Sequence, residues 1–240
     1  MSEVDTKELD RLLQEAFDTA TQLYKERGFQ RRVGFGKRPA LVSVDLANAW
    51  TRPGNPFTCD QEKMDNEIIP SMQKLLKAFR VARLPVVHVT TAYEITDRNA
   101  EFTDMGLWHN KIPVDVVDIK DKDLWAIDSR IAPIEGEYTL LKKRASSFHG
   151  TELAGILRAN GVDTILVTGV TACACVRQTI CDGIADGFRT IAVKEAIGDR
   201  VPGAVAWNLF DIDAKFGDVH TVDECVAYID ALGAKKMAAE

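Results

Sequence analysis

Residues 164–181 read TILVTGVTACACVRQTIC. The apolar, β-branched opening predicts a strand buried on both faces, Gly169 closes it, and a helical stretch follows from about residue 175. A strand that runs through a tight turn into a helix is the repeating unit of a parallel sheet. Cys173 and Cys175 fall in that turn. Cysteine there packs as a small hydrophobe, or one of the pair is a nucleophile at a helix N-terminus.

Outward from this stretch the same unit recurs. PALVSVD (39–45), PVVHVTT (85–91), YTLLKK (138–143), DTILVTG (163–169) and RTIAVK (189–194) read as strands, and FGDVHTV (216–222) supplies a short sixth. Residues 63–82, 150–160, 175–187, 203–215 and 222–233 read as helices. The expected fold is three-layer α/β/α with a six-stranded, mainly parallel sheet. Ligands of such sheets bind at the carboxyl ends of the strands. Ahead of the first strand, Leu9, Leu13, Ala16, Phe17, Ala20, Leu23 and Tyr24 recur at helical spacing, with Gly28 as a stop. Residues 1–36 are thus expected to form a helical arm, packed on its own domain or on a neighbouring subunit, and 37–240 the domain proper. The stretch 94–136 is too long for a simple connection and reads as a wall over the sheet edge.

Composition narrows the function classes. A 46% hydrophobic, 28% charged chain of 240 residues is ordinary globular material. Net charge −6, with Lys and Arg scattered, argues against nucleic acid or an acidic membrane surface as partner. No apolar run approaches the roughly 18 residues of a membrane span, and the charged N-terminus lacks a signal-peptide core, so a cytoplasmic location is expected. The five cysteines show no C-x-x-C and the four histidines no metal spacing, so free thiols and no metal or cofactor are expected.

Three reactive groups close three strands. Asp45 ends the first, Lys142 and Lys143 the third, and the two cysteines follow the fourth. In a parallel sheet these ends share one edge. A free thiol has a pKa of about 8.5, and a helix N-terminus and an adjacent ammonium both favour its anion. A carboxylate beside the thiol takes its proton and passes it to a leaving amine. Backbone N–H groups at the helix start stabilise a tetrahedral oxyanion. These parts suffice to hydrolyse an amide. Which lysine and which cysteine serve, spacing alone leaves open.

The Asp closing strand one, the K-x-x-x-S-x-F segment (Lys142, Ser146, Phe148) and the G-x-T-x-x-x-C-V turn (Gly169, Thr171, Cys175, Val176) together resemble the cysteine hydrolase branch of the isochorismatase-like superfamily. Longer segments, ERGFQRRVGFGKRPALVSVDLANAWTRPGNPFTC, DMGLWHNKIP and IGDRVPGAVAWNLFDIDAKFGDV, are similar to its N-carbamoylsarcosine-cleaving members over about residues 26–230. The resemblance implies Cys175 as nucleophile, Asp45 as general base and acid, and Lys142 as its partner. It implies an oxyanion hole from the N–H groups of Thr171 and Cys175, a cis Val170–Thr171 peptide bond and a homotetramer. Cys173 is then left as a packing residue. Ala174 stands where relatives commonly have Gly.

The superfamily's metal-binding nicotinamidases carry a histidine soon after strand one; here TRPGNPFTCD has none. The expected substrate is a small linear amide or ureide. Arg200, after strand five, is suited to pair with a substrate carboxylate. Asn48 is a candidate for a polar substrate contact, and Trp50 and Trp108 for an apolar wall or plain packing. The leading expectation is N-carbamoylsarcosine hydrolysis, as in creatinine degradation. Maleamate and biuret-like ureides are alternatives within the family, and a catalytically silent binding module is the alternative from another class.

Overall fold

The computed structural model describes residues 6–95, 104–201 and 203–237; residues 96–103 of the 94–136 excursion and the first five residues of the arm lie outside them. Six strands form one sheet: β1 (Pro39–Val44), β2 (Val86–Thr91), β3 (Tyr138–Lys142), β4 (Thr164–Val170), β5 (Arg189–Gly198) and β6 (Asp218–His220). Their order is β3-β2-β1-β4-β5-β6, and every pairing is parallel. Among the described residues the α-helical segments are α1 (Thr6–Glu26), α2 (Asn48–Thr51), α3 (Gln61–Lys63), α4 (Ile69–Ala82), α5 (Lys122–Trp125), α6 (Leu153–Ala159), α7 (Arg177–Ala185), α8 (Ala204–Lys215) and α9 (Val222–Met237). Short π turns at Met64–Ile68 and Ala172–Val176 lead into α4 and α7.

Alternation along the strands builds two cores. On one face Leu41, Leu166, Ile191 and Val193 meet Leu75, Leu76 and Phe79 of α4 and Cys225 and Ile229 of α9. On the other, Val42, Val44, Val87, Val89 and Val167 meet Leu153 and Leu157 of α6, Ile180 of α7 and Ile212 of α8. All six residues of β1 and all seven of β4 are buried, because helices cover both faces of the sheet. The three layers expected from the sequence are those observed. Helix α1 sits outside them, stacking Phe17 on Phe210 of α8 at 4.8 Å between ring centroids.

Two differences from the sequence reading have local causes. Strand β5 runs to Gly198, beyond the expected residue 194. Its pairing with β4 jumps from Val167↔Ala192 to Gly169↔Ile197, so Lys194 and Glu195 bulge out and break the apolar run by which a strand is recognised. The excursion also carries structure of its own, including α5 and the 3₁₀ turn Gly106–Asn110. It is tied to the carboxyl edge by the bridges Ala47↔Ile127 and Tyr93↔Asp118 and by the Thr90 hydroxyl donating to the Trp125 carbonyl at 2.7 Å.

Candidate active site

The strand order reverses between β1 and β4, where a doubly wound sheet opens its ligand crevice. Asp45 follows β1 and the cysteine turn follows β4. Gly169 brings the two together: it has φ +109°, and a Cβ there would lie 1.9 Å from the Val44 carbonyl oxygen. No other residue fits so close an approach. Asp45 adopts φ +51°, a left-handed conformation that its short polar side chain tolerates better than most. The Val170–Thr171 peptide bond is cis.

Lys142, closing β3, reaches across β2 into this crevice. Its Nζ lies 2.8 Å from Asp45 Oδ2 and donates to Cys175 Sγ at 3.3 Å. Asp45 is 0% exposed, Lys142 1% and Cys175 8%. Lys143, whose adjacency left the choice open, points elsewhere and donates to the Ala92 carbonyl at 2.7 Å.

The electrostatics differ from the sequence expectation at one point. Burial pushes the Cys175 thiol up to about 12, Lys142 opposing this and Asp45 adding to it. The helix terminus and the ammonium were expected to favour the anion, but loss of hydration outweighs the ammonium. Burial alone would also lower Lys142, yet Asp45 and Cys175 outweigh it and hold the amine above its ordinary value. At neutral pH the site therefore holds an ammonium and a protonated thiol beside a carboxylate. Sulfur becomes nucleophilic only as its proton leaves.

The other candidate residues are more scattered. Arg200 is exposed after β5; its Nη2 donates to the Phe57 carbonyl at 3.1 Å, with the guanidinium carbon 5.8 Å from the Phe57 ring centroid. It lines a cleft of about 730 Å³ with Asp60, Glu67, Lys194 and Gly203, and Asp45, Lys142 and Cys175 do not line that cleft. Trp50 is buried and stacks on Phe57 at 5.2 Å. Trp108 is half-buried among the apolar residues of the excursion. The Asn48 amide donates to the Asp123 carbonyl at 2.8 Å, while its Oδ1 is buried without a partner among the described residues. Thr171 is buried before the π turn, its carbonyl accepting from Val176 N–H at 3.1 Å. Cys173 was expected to pack but is exposed, because the π turn that buries Cys175 rotates Cys173 outward.

Two residues escaped the sequence reading. Thr91, closing β2, is 5% exposed; its hydroxyl donates to Asp45 Oδ1 at 2.8 Å and accepts from Lys142 Nζ at 2.7 Å. Asp199, just after β5, accepts the Cys173 N–H at 3.0 Å and the Arg200 N–H at 2.8 Å. It thereby ties the cysteine turn to the strand end that carries Arg200. Both stand at carboxyl ends of strands, the signal that singled out Asp45. Among the described residues no cluster of three or more His, Cys, Asp or Glu is arranged to hold a metal ion, and no helix is long and apolar enough to cross a membrane.

Such a fold, with these groups at its switch point, defines a doubly wound α/β protein with a thiol, an ammonium and a carboxylate in one buried cluster. Residues 39–224 match the isochorismatase domain model, and the chain belongs to that family. It is 50% identical over 222 residues to an N-carbamoylsarcosine amidase from Arthrobacter sp, covering 92% of this chain and 82% of that one. It is 36% identical over 194 residues to a maleamate amidohydrolase from Pseudomonas putida, covering 80% and 86%. Among solved structures, a cysteine hydrolase from Pseudomonas syringae pv. phaseolicola superposes with a TM-score of 0.73 at 25% identity, covering 85% of this chain and 98% of that one.

Proposed function

We propose that this chain is an amidohydrolase that converts N-carbamoylsarcosine and water to sarcosine, carbon dioxide and ammonia. The observation that carries the reading is the buried ammonium of Lys142 lying 2.8 Å from the Asp45 carboxylate and within a 3.3 Å hydrogen bond of the Cys175 thiol. The choice of substrate draws on the 50% identity to the Arthrobacter amidase.

In this reading Asp45 takes the thiol proton as sulfur attacks the carbamoyl carbon. The transfer is coupled to attack because a thiol raised to about 12 holds almost no standing thiolate at neutral pH. Lys142 stabilises the negative charge as it passes from carboxylate to sulfur. The N–H groups of Thr171 and Cys175 receive the tetrahedral oxyanion. Asp45 returns the proton to the departing nitrogen, and ammonia leaves. Asp45 then activates water to cleave the S-carbamoyl enzyme; the carbamate released loses carbon dioxide to give sarcosine. Arg200 receives the substrate carboxylate, and Asn48, Trp50 and Trp108 shape the remaining walls. In this assignment the chain acts in creatinine degradation, as a cytoplasmic homotetramer built from a 37–240 domain and a 1–36 arm.

Maleamate is the second reading, favoured by 36% identity to the Pseudomonas putida amidohydrolase; it too is a small amide bearing a carboxylate. The test is ammonia release from N-carbamoylsarcosine, maleamate, biuret and nicotinamide. N-carbamoylsarcosine is expected to give the highest kcat/KM, and Cys175→Ala to abolish turnover. Arg200→Met is expected to cost the two carboxylate substrates roughly 10- to 100-fold and biuret far less. Near-wild-type turnover by Cys175→Ala overturns the mechanism, and equal losses on every substrate overturn the role of Arg200.

A further inference from the structure

The triad accounts for a carboxylate, an ammonium and a thiol, but not for the hydroxyl between the first two. Thr91 has one proton to give, and it goes to Asp45 Oδ1 at 2.8 Å. Its oxygen accepts from Lys142 Nζ at 2.7 Å. The Lys142 ammonium donates to Thr91 Oγ1 and Cys175 Sγ and forms an ion pair with Asp45 Oδ2 at 2.8 Å. Each bond fixes the direction of the next. While Lys142 is charged its N–H points at Thr91, so the Thr91 proton must turn to Asp45; while Asp45 is an anion it accepts that proton.

We infer that Thr91 is a positioning residue that locks Lys142 as the ammonium and Asp45 as the anion, leaving the carboxylate's Oδ2 side to receive the thiol proton. Hydrogen bonds to the charged form favour that form, and in a dry site such a chain is mutually reinforcing. The hydroxyl thus widens the pH range over which the resting ion pair survives. The other titratable groups facing the cluster do not substitute for it. Tyr93, just beyond β2, is raised by burial. Cys59, from the loop before α3, is raised by burial to about 12. Both are neutral near pH 7, and among the described residues neither hydrogen-bonds to Asp45 or Lys142. This inference rests on the amidohydrolase reading for its activity assay and on the geometry alone for its second assay.

The test compares Thr91→Val, nearly the same shape without the hydroxyl, with Thr91→Ser, which restores it. Loss of the acceptor disfavours the Lys142 ammonium, so the alkaline limb of kcat/KM moves to lower pH. Loss of the donor frees the Asp45 carboxylate to turn away from sulfur, so kcat at the optimum is reduced roughly 10- to 100-fold, the worth of a hydrogen bond to a charged group, with KM nearly unchanged. Thr91→Ser is expected to recover both the limb and the rate. A merely structural Thr91 would lower the melting temperature and leave the limbs in place, and that result overturns the proposal. Alkylation of Cys175 by iodoacetamide, followed against pH by fragment masses that separate it from the exposed Cys173, repeats the comparison without substrate. A profile displaced in Thr91→Val and restored in Thr91→Ser supports the assignment, and identical profiles overturn it. Should the wild type release no ammonia from any substrate, the amidohydrolase reading fails while the alkylation profiles still decide the role of Thr91.

Discussion

At the amino edge of the sheet, Asp163 accepts the backbone N–H groups of Lys37 at 2.8 Å and Arg38 at 3.0 Å and the Thr164 hydroxyl at 2.8 Å. At the carboxyl edge, Asp45 meets an ammonium, a hydroxyl and a thiol. The residue type is the same and each accepts one threonine hydroxyl, but the remaining partners are opposite in kind. Backbone donors cannot leave or change charge, so Asp163 acts as a clasp for the segment entering β1. Gly36 shows how tight that clasp is, since a Cβ there would lie 2.3 Å from Asp163 Oδ1. The partners of Asp45 all hold protons that can move. A carboxylate surrounded by fixed donors is architecture, whereas one surrounded by titratable groups is chemistry.

The comparison breaks most sharply at Lys142. Lys142→Met leaves the buried Asp45 charge without its counter-ion, and removing one partner of a buried pair costs about 3–5 kcal/mol. Ammonia release is expected to fall by roughly 10²–10⁴-fold, measured beside urea unfolding. Activity within a few-fold of wild type would erase the distinction between the two edges.

Asp163→Ala is the converse. Asp163 is half-exposed, so the loss of its charge-assisted bonds, discounted for solvent, is about 1–2 kcal/mol, with kcat and KM unchanged. Burial alone would raise this carboxyl, but the backbone N–H groups of Lys37 and Arg38 outweigh it and hold it below the usual range. A depressed folded value means that the stabilisation is present above the unfolded pKa of about 3.9 and is lost as pH falls through the folded value. The stability gap between wild type and Asp163→Ala is therefore expected to be flat from pH 5 to 7 and to close below about pH 4. A gap that widened on acidification would contradict this.

Tyr93 gives the smallest effect. Its hydroxyl is buried at the carboxyl edge with no hydrogen-bond partner among the described residues, so Tyr93→Phe removes a polar group that the fold has left unpaired. Urea unfolding of Tyr93→Phe is expected to show stability unchanged or raised by less than about 1 kcal/mol. A clear loss would mean that the hydroxyl has a fixed partner after all.

The sequence exposed whatever depends on short-range pattern. Strands buried on both faces announce themselves as β-branched runs, and a parallel sheet fixes which ends share an edge; β1, β4 and the meeting of Asp45 with a lysine and a cysteine follow from that, while the choice of Lys142 over Lys143 and Cys175 over Cys173 came from the family resemblance. What it concealed depends on surroundings. The raised Cys175 thiol is a consequence of burial, which no neighbour in sequence encodes. The outward turn of Cys173 belongs to a π turn, which leaves no periodic signature. The far half of β5 was hidden by Lys194 and Glu195, charged residues that bulge from the ladder. Thr91 was legible in position, yet a threonine at a strand end is too ordinary to attract notice without Lys142 and Asp45 in contact with it.

Strand β3 lies at the border of the sheet, paired with β2 alone, and its last residue is Lys142. A molecule whose border strand has come away keeps Asp45 and Cys175 on the inner strands β1 and β4 but loses the ammonium between them. The outermost strand thus works as a key, since withdrawing it removes the cation while the other two groups stay in place.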